Sequence, residues 1–105
     1  MAVTTEGSDG IVATSLGTIH TCPALSEESV MEIIISNTDT ALSRTINVWI
    51  DRSGTSRYLV QDQVLLPRQS WNDLRRHSLS AADVIEAKVD AGTNTEFLVS
   101  VVRKA

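Results

Sequence analysis

Alternation of apolar and polar residues in short blocks limits most strongly what this chain can become. In residues 83–89, Ile85, Ala87 and Val89 fall on one side, and Glu86 and Lys88 on the other. That is the period of a half-buried strand. Residues 90–94, Asp-Ala-Gly-Thr-Asn, read as a turn in which Gly92 and Asn94 can take positive φ. Residues 95–102 then return with Phe97, Val99 and Val101 on one face. Together residues 83–102 read as a terminal hairpin. An isolated hairpin is marginal in water, so further strands must cover its apolar side.

The rest of the chain supplies them. Residues 45–51 place Ile46, Val48 and Ile50 inward, and Thr45, Asn47, Trp49 and Asp51 outward. Asp51-Arg-Ser-Gly54 is a hairpin turn, with residues 56–60 as the return strand. Upstream, residues 16–21 read as a short strand stopped by Pro23, which lacks a ladder donor. Ser26 could cap a helical turn, but the β-branched run Ile33-Ile-Ile35 favours a strand over residues 30–36, with Met31, Ile33 and Ile35 on one face. Residues 61–66 and 68–74 give two more short strands. Residues 75–78 are a polar connection, and residues 79–83 a bend. The expected fold is all-β: a small antiparallel β-sandwich or jelly roll of about seven to nine short strands. Helix is expected to be scarce, with residues 80–87 its best opportunity. Residues 1–15 hold little to bury and read as a flexible acidic N-terminal arm; residues 16–105 read as a single β-sandwich domain.

Composition narrows the function. Hydrophobic residues make up 42% of the 105, enough for a core, but the aromatics are only two Trp, one Tyr and one Phe. Val, Ile and Leu must therefore fill the interior, and a domain this small gains from association. Net charge is −4, and every one of the nine Lys and Arg lies from Arg44 onward. Such a molecule can set its acidic end against a basic face on a neighbouring copy. The negative charge argues against a nucleic-acid partner. Cys22 is the sole cysteine, which excludes an intrachain disulfide. No apolar run approaches the roughly 18 residues of a membrane helix, and no signal peptide is evident. A soluble protein without a membrane partner is expected.

Chemistry is hard to find. A metal site needs clustered Cys and His ligands. His20 and Cys22 could form half of one on a strand, with His77 the only further histidine; no metal or other cofactor is expected. No serine sits in a nucleophile elbow. Glu27 and Glu28 are adjacent in a presumed turn and point apart, while Glu86 and Glu96 could approach across the terminal hairpin. The five glycines are too scattered for a phosphate loop. The chain is therefore read as no enzyme. Arg68, Trp71, Arg75 and Arg76 come closest to a basic, aromatic-bearing patch, and Trp49 falls on the polar side of its strand. Trp and Arg are the residue types that dominate protein contacts, so these five are the candidate partner-binding residues. Each tryptophan could equally belong to the core.

Several blocks carry a resemblance. They are Ile19-His-Thr-Cys-Pro-Ala, Ile34-Ile-Ser-Asn-Thr, Thr45-Ile-Asn-Val-Trp-Ile, Arg57-Tyr-Leu-Val, Val64-Leu-Leu-Pro and Leu79-Ser-Ala-Ala-Asp-Val-Ile-Glu-Ala. In their succession over residues 18–102 the chain resembles small β-sandwich structural proteins of tailed bacteriophages. It departs from their pattern at His20, where an aromatic is usual, at Ala82, where Gly is usual, and in the basic character of residues 71–77. The resemblance implies a non-enzymatic virion protein present in many copies. It would be made in the host cytoplasm and would contact the major capsid protein, other virion proteins and its own copies. Capsid decoration, as a cement between subunits, is the leading expectation. The alternatives are a tail, neck or baseplate accessory, or a receptor- or carbohydrate-binding sandwich with an exposed Trp as its stacking platform.

Overall fold

The structure, a computed structural model, describes residues 3–104. Nine strands follow one another: β1 (Val3–Ile11), β2 (Gly17–Thr21), β3 (Glu27–Asn37), β4 (Arg44–Arg52), β5 (Thr55–Leu65), β6 (Ser70–Asp73), β7 (His77–Leu79), β8 (Val84–Val89) and β9 (Thr95–Lys104). They form two antiparallel sheets. The five-stranded sheet has the order β1-β9-β3-β6, with β7 also paired to β3, and the four-stranded sheet has the order β2-β8-β4-β5. The chain crosses repeatedly between the sheets, and β6 and β7 together fill one strand position beside β3. This is the order of a jelly roll.

One core lies between the sheets. Val30, Ile33, Ile35, Val99 and Val101 enter it from the five-stranded sheet, and Ile46, Val48, Ile50, Ile85, Ala87 and Val89 from the four-stranded one. Fully burying such a side chain is worth about 1.5–3 kcal/mol, so this aliphatic stack is the main driving force for folding. The inward faces of β4, β8 and β9 are those the alternation indicates. In β3 a bulge between Val30 and Glu32 shifts the phase, so Val30 rather than Met31 joins Ile33 and Ile35 inside.

Pairing corrects the expected terminal hairpin. β8 lies between β2 and β4, whereas β9 lies between β1 and β3. Residues 90–94 are an arch from one sheet to the other, and Glu86 and Glu96 stand in different sheets. Alternation tells a strand which side to bury; it does not name the neighbour.

The arm expected over residues 1–15 is also corrected. Val3–Ile11 is an edge strand paired along its whole length with β9, from Val3 opposite Lys104 to Ile11 opposite Glu96. Met1 and Ala2 lie outside the described residues. Eight of the nine β1 residues are exposed, so the strand shows no alternation to read. Main-chain bonds hold it instead, and Gly7 permits them: a Cβ there would lie 2.8 Å from the carbonyl oxygen of Val99.

Smaller differences follow from local geometry. β5 is one strand where two were expected, because Asp62 takes a left-handed φ of 50° and donates its N–H to Asn47 Oδ1 at 2.8 Å. β6 is shorter than residues 68–74, and β7 arises within the stretch read as polar. The hairpin turn after β4 is present: Ser53 and Gly54 both have positive φ, 54° and 85°, between the paired Arg52 and Thr55. Two left-handed central residues match the twist of the flanking strands.

Candidate functional site

One concentrated set of polar side chains is buried between the ends of β1, β2, β3 and β9. Nε2 of His20 donates to Oε1 of Glu28 at 2.6 Å, and Nε of Arg103 donates to Oε2 of the same carboxylate at 2.8 Å. The Ser8 hydroxyl lies 2.7 Å from Nδ1 of His20, and Arg103 also reaches Glu6 at 3.7 Å. His20 and Glu28 are each 4% exposed. A serine, an imidazole and a carboxylate in line resemble a hydrolytic triad, but that chemistry also needs oxyanion donors and a cleft for substrate. Two hollows indent the surface; neither is lined by Ser8 or His20, though one reaches Glu28, and Arg103 pairs with that carboxylate. The cluster works as a cross-link. It ties β2 of one sheet to three strands of the other, with each buried charge paired and hydrogen-bonded.

Cys22 lies beside this cluster and is fully buried. Burial, reinforced by the Glu28 carboxylate, pushes its thiol up to about 11. Its Sγ donates to the Ser26 carbonyl at 3.5 Å. The half-site imagined from His20 and Cys22 is thus occupied in other ways: His20 turns to Glu28 and Cys22 to main-chain carbonyls. Glu28 was legible in principle, since it is in phase with the buried Val30 two residues later. Reading Glu27-Glu28 as a turn concealed it; both belong to β3.

A second polar knot lies at the other margin of the five-stranded sheet. Asp73, 4% exposed, accepts from the Arg75 amide at 2.9 Å, from Nε and Nη2 of Arg75 at 3.0 Å each, and from Nε2 of His77 at 3.0 Å. Burial alone would raise its pKa, but the bonds from Arg75 and His77 outweigh that and hold the carboxyl below its usual value. Arg75 Nη2 also donates to the Leu59 carbonyl on β5 at 3.2 Å. The knot therefore fixes the β6–β7 link against the other sheet.

The five expected contact residues do not converge. Trp49 is on the outward side of β4, opposite Tyr58 and Glu86, with its ring 4.9 Å from that of Tyr58 at 34°. Trp71 pairs with the buried Ile35 and packs against the core. Arg68 sits at a left-handed turn position with φ 64°. Arg75 is held by Asp73, and Arg76 is exposed in the same link.

These two hollows lie on the five-stranded sheet, away from Trp49. One is lined by Asp9, Gly10, Ile11, Ile34, Ser36, Glu96, Phe97 and Leu98. The other is lined by Glu28 of the buried cluster and by Val3, Glu27, Ser29, Ser78, Val102 and Lys104 among others. The first was invisible in sequence because it is assembled from three strands far apart in the chain. These shallow features suit contact with another macromolecule better than enclosure of a small substrate.

Comparison with known proteins gives a likeness of fold. No family model matches the sequence, and no curated protein matches it significantly. Among solved structures it is similar to a chain of the acidic stable capsid structure of Helicobacter pylori bacteriophage KHP30. The likeness covers 98% of this chain and 87% of that one, with a TM-score of 0.56 and 10% identity.

Proposed function

We propose that the chain is a non-enzymatic structural protein of a tailed bacteriophage particle, and specifically a decoration protein that bridges capsid subunits. The observation that carries this reading is the fold likeness to a chain of a phage capsid structure over almost the entire length. Jelly rolls serve capsids, lectins and enzymes alike, so fold alone does not choose among them. The choice is supported by the sequence resemblance to phage structural proteins, by the cross-linking use of the buried polar groups, and by the open sheet faces. A decoration protein acts by burying surface across capsid subunits, which stabilises the assembled shell by mass action. Its partners in this reading are the major capsid protein and its own copies, and its place is the virion.

Quantitative mass spectrometry of purified particles tests the assignment. Decoration requires copy numbers on the order of the capsid subunits, and purified protein must rebind particles stripped of it. A handful of copies would move the protein to the tail or neck. Absence from particles would end the virion reading.

One observation favours a second reading. The Trp49–Tyr58 pair presents aromatic surface on the outer side of the four-stranded sheet, with Tyr58 48% exposed. Such a surface can stack on a sugar ring, as a receptor-binding protein requires. Glycan binding that disappears in Trp49→Ala, with the fold intact, would select this alternative.

A further inference from the structure

The geometry points to a second copy of this chain as the occupant of the hollow on the five-stranded sheet. Ile11, Ile34 and Leu98 form its apolar part, and Asp9 and Glu96 its rim. Ile11 is 52% exposed and Leu98 43%. Among the described residues neither rim carboxylate is in an ion pair, and no lining residue is basic. The hollow begins at the β1 margin of the sheet, and the link between β6 and β7 lies at the opposite margin. That link carries Leu74, 68% exposed, followed by Arg75 and Arg76. Arg76 is in no ion pair among the described residues. Arg75 and His77 bind Asp73 and brace the link on both sides.

An exposed leucine beside an unpaired guanidinium complements an apolar hollow rimmed by two unpaired carboxylates. The leucine leaves water at the centre of the contact while opposite charges meet at its edge. The braced link loses little freedom on docking, which favours the contact. Since donor and acceptor surfaces lie on opposite margins of one sheet, the contact is heterologous. Each copy offers its link to one neighbour and its hollow to another, and the copies line up side by side in a ring or a row. The contact deepens the proposed function by naming how copies meet, but it does not depend on which particle they coat.

Sedimentation velocity of the purified chain over a wide concentration range is the test. At low salt the wild type is expected to self-associate, and added salt to weaken this by screening the rim charges. Leu74→Asp, Arg76→Glu and Leu98→Asp should each weaken association by about tenfold or more, with unchanged circular dichroism. Leu74→Asp keeps its hollow and Leu98→Asp keeps its link, so a mixture of the two should form a complex that stops at two chains. The inference is overturned if the wild type stays monomeric throughout, if the variants associate as it does, or if the mixture yields nothing. A monomer that still rebinds stripped particles would remove this contact and leave the decoration reading. A self-associating chain absent from particles would do the reverse.

Discussion

Ala82 shows how much a single residue can carry. Its φ is 70°, in the left-handed region, and its N–H donates to the Cys22 carbonyl at 2.9 Å. The bend it creates presents Asp83, whose Oδ1 accepts from the Ser53 amide at 3.1 Å and whose Oδ2 accepts from the Ser80 amide at 2.9 Å. A side chain in this conformation crowds the following carbonyl, a strain that glycine escapes. Ala82→Gly is therefore expected to stabilise the fold by about 1 kcal/mol, read as a higher urea midpoint at unchanged slope. Asp73 gives the pH counterpart. Because its folded pKa is lowered, it contributes stability that is fully present above the ordinary value of 3.8 and is lost as pH falls through the lowered folded value. Asp73→Asn should cost about 1–3 kcal/mol at neutral pH, since the buried site loses its negative charge and one of the two oxygens that accept from Arg75 and His77. In chemical unfolding followed from pH 7 downward, the gap between variant and wild type must shrink in acid; a constant gap would place the cost elsewhere.

At the scale of elements, the strands divide by what specifies them. β8 is written in its side chains, since its buried positions alternate, and β4 nearly so, with β-branched Ile46, Val48 and Ile50 inward and Asn47 buried as well where the register shifts. The β4–β5 turn is equally local, because Ser53-Gly54 tolerates the two left-handed positions its type demands. β1 is specified by its partner. Its composition is that of a loop, and it becomes a strand because β9 offers a complete row of main-chain groups that would otherwise form an open edge. Gly7→Ala tests this directly. The added methyl would meet a carbonyl oxygen at 2.8 Å, so β1 must shift away from β9 at a cost of about 1–3 kcal/mol. Hydrogen exchange should then quicken at the β1 and β9 amides and leave those of β4 unchanged; uniform quickening would show that β1 is not an independent edge.

The whole molecule is tied together across its sequence. Val3 faces Lys104, and β3 lies between β9 and the β6–β7 pair. Folding therefore has to close long loops before the sheets gain their contacts, and rates in the millisecond-to-second range are expected. Trp71 reports on the five-stranded sheet and Trp49 on the four-stranded one. Because a single aliphatic core joins both, Trp49→Phe and Trp71→Phe variants should each unfold in one transition whose fluorescence and circular-dichroism midpoints coincide. Separate fluorescence and circular-dichroism midpoints in either variant would mean that the sheets part independently. The strand content and the inward faces of β4, β8 and β9 were determined by the sequence itself, because each follows from the pattern of near neighbours in the chain. The partners of β8 and β9, the conversion of β1 from apparent loop to edge strand, the His20–Glu28–Arg103 cross-link and the hollow between Asp9 and Leu98 were decided only in the tertiary structure. Each depends on residues brought together by the packing of two sheets, and a one-dimensional pattern has no variable that holds that proximity.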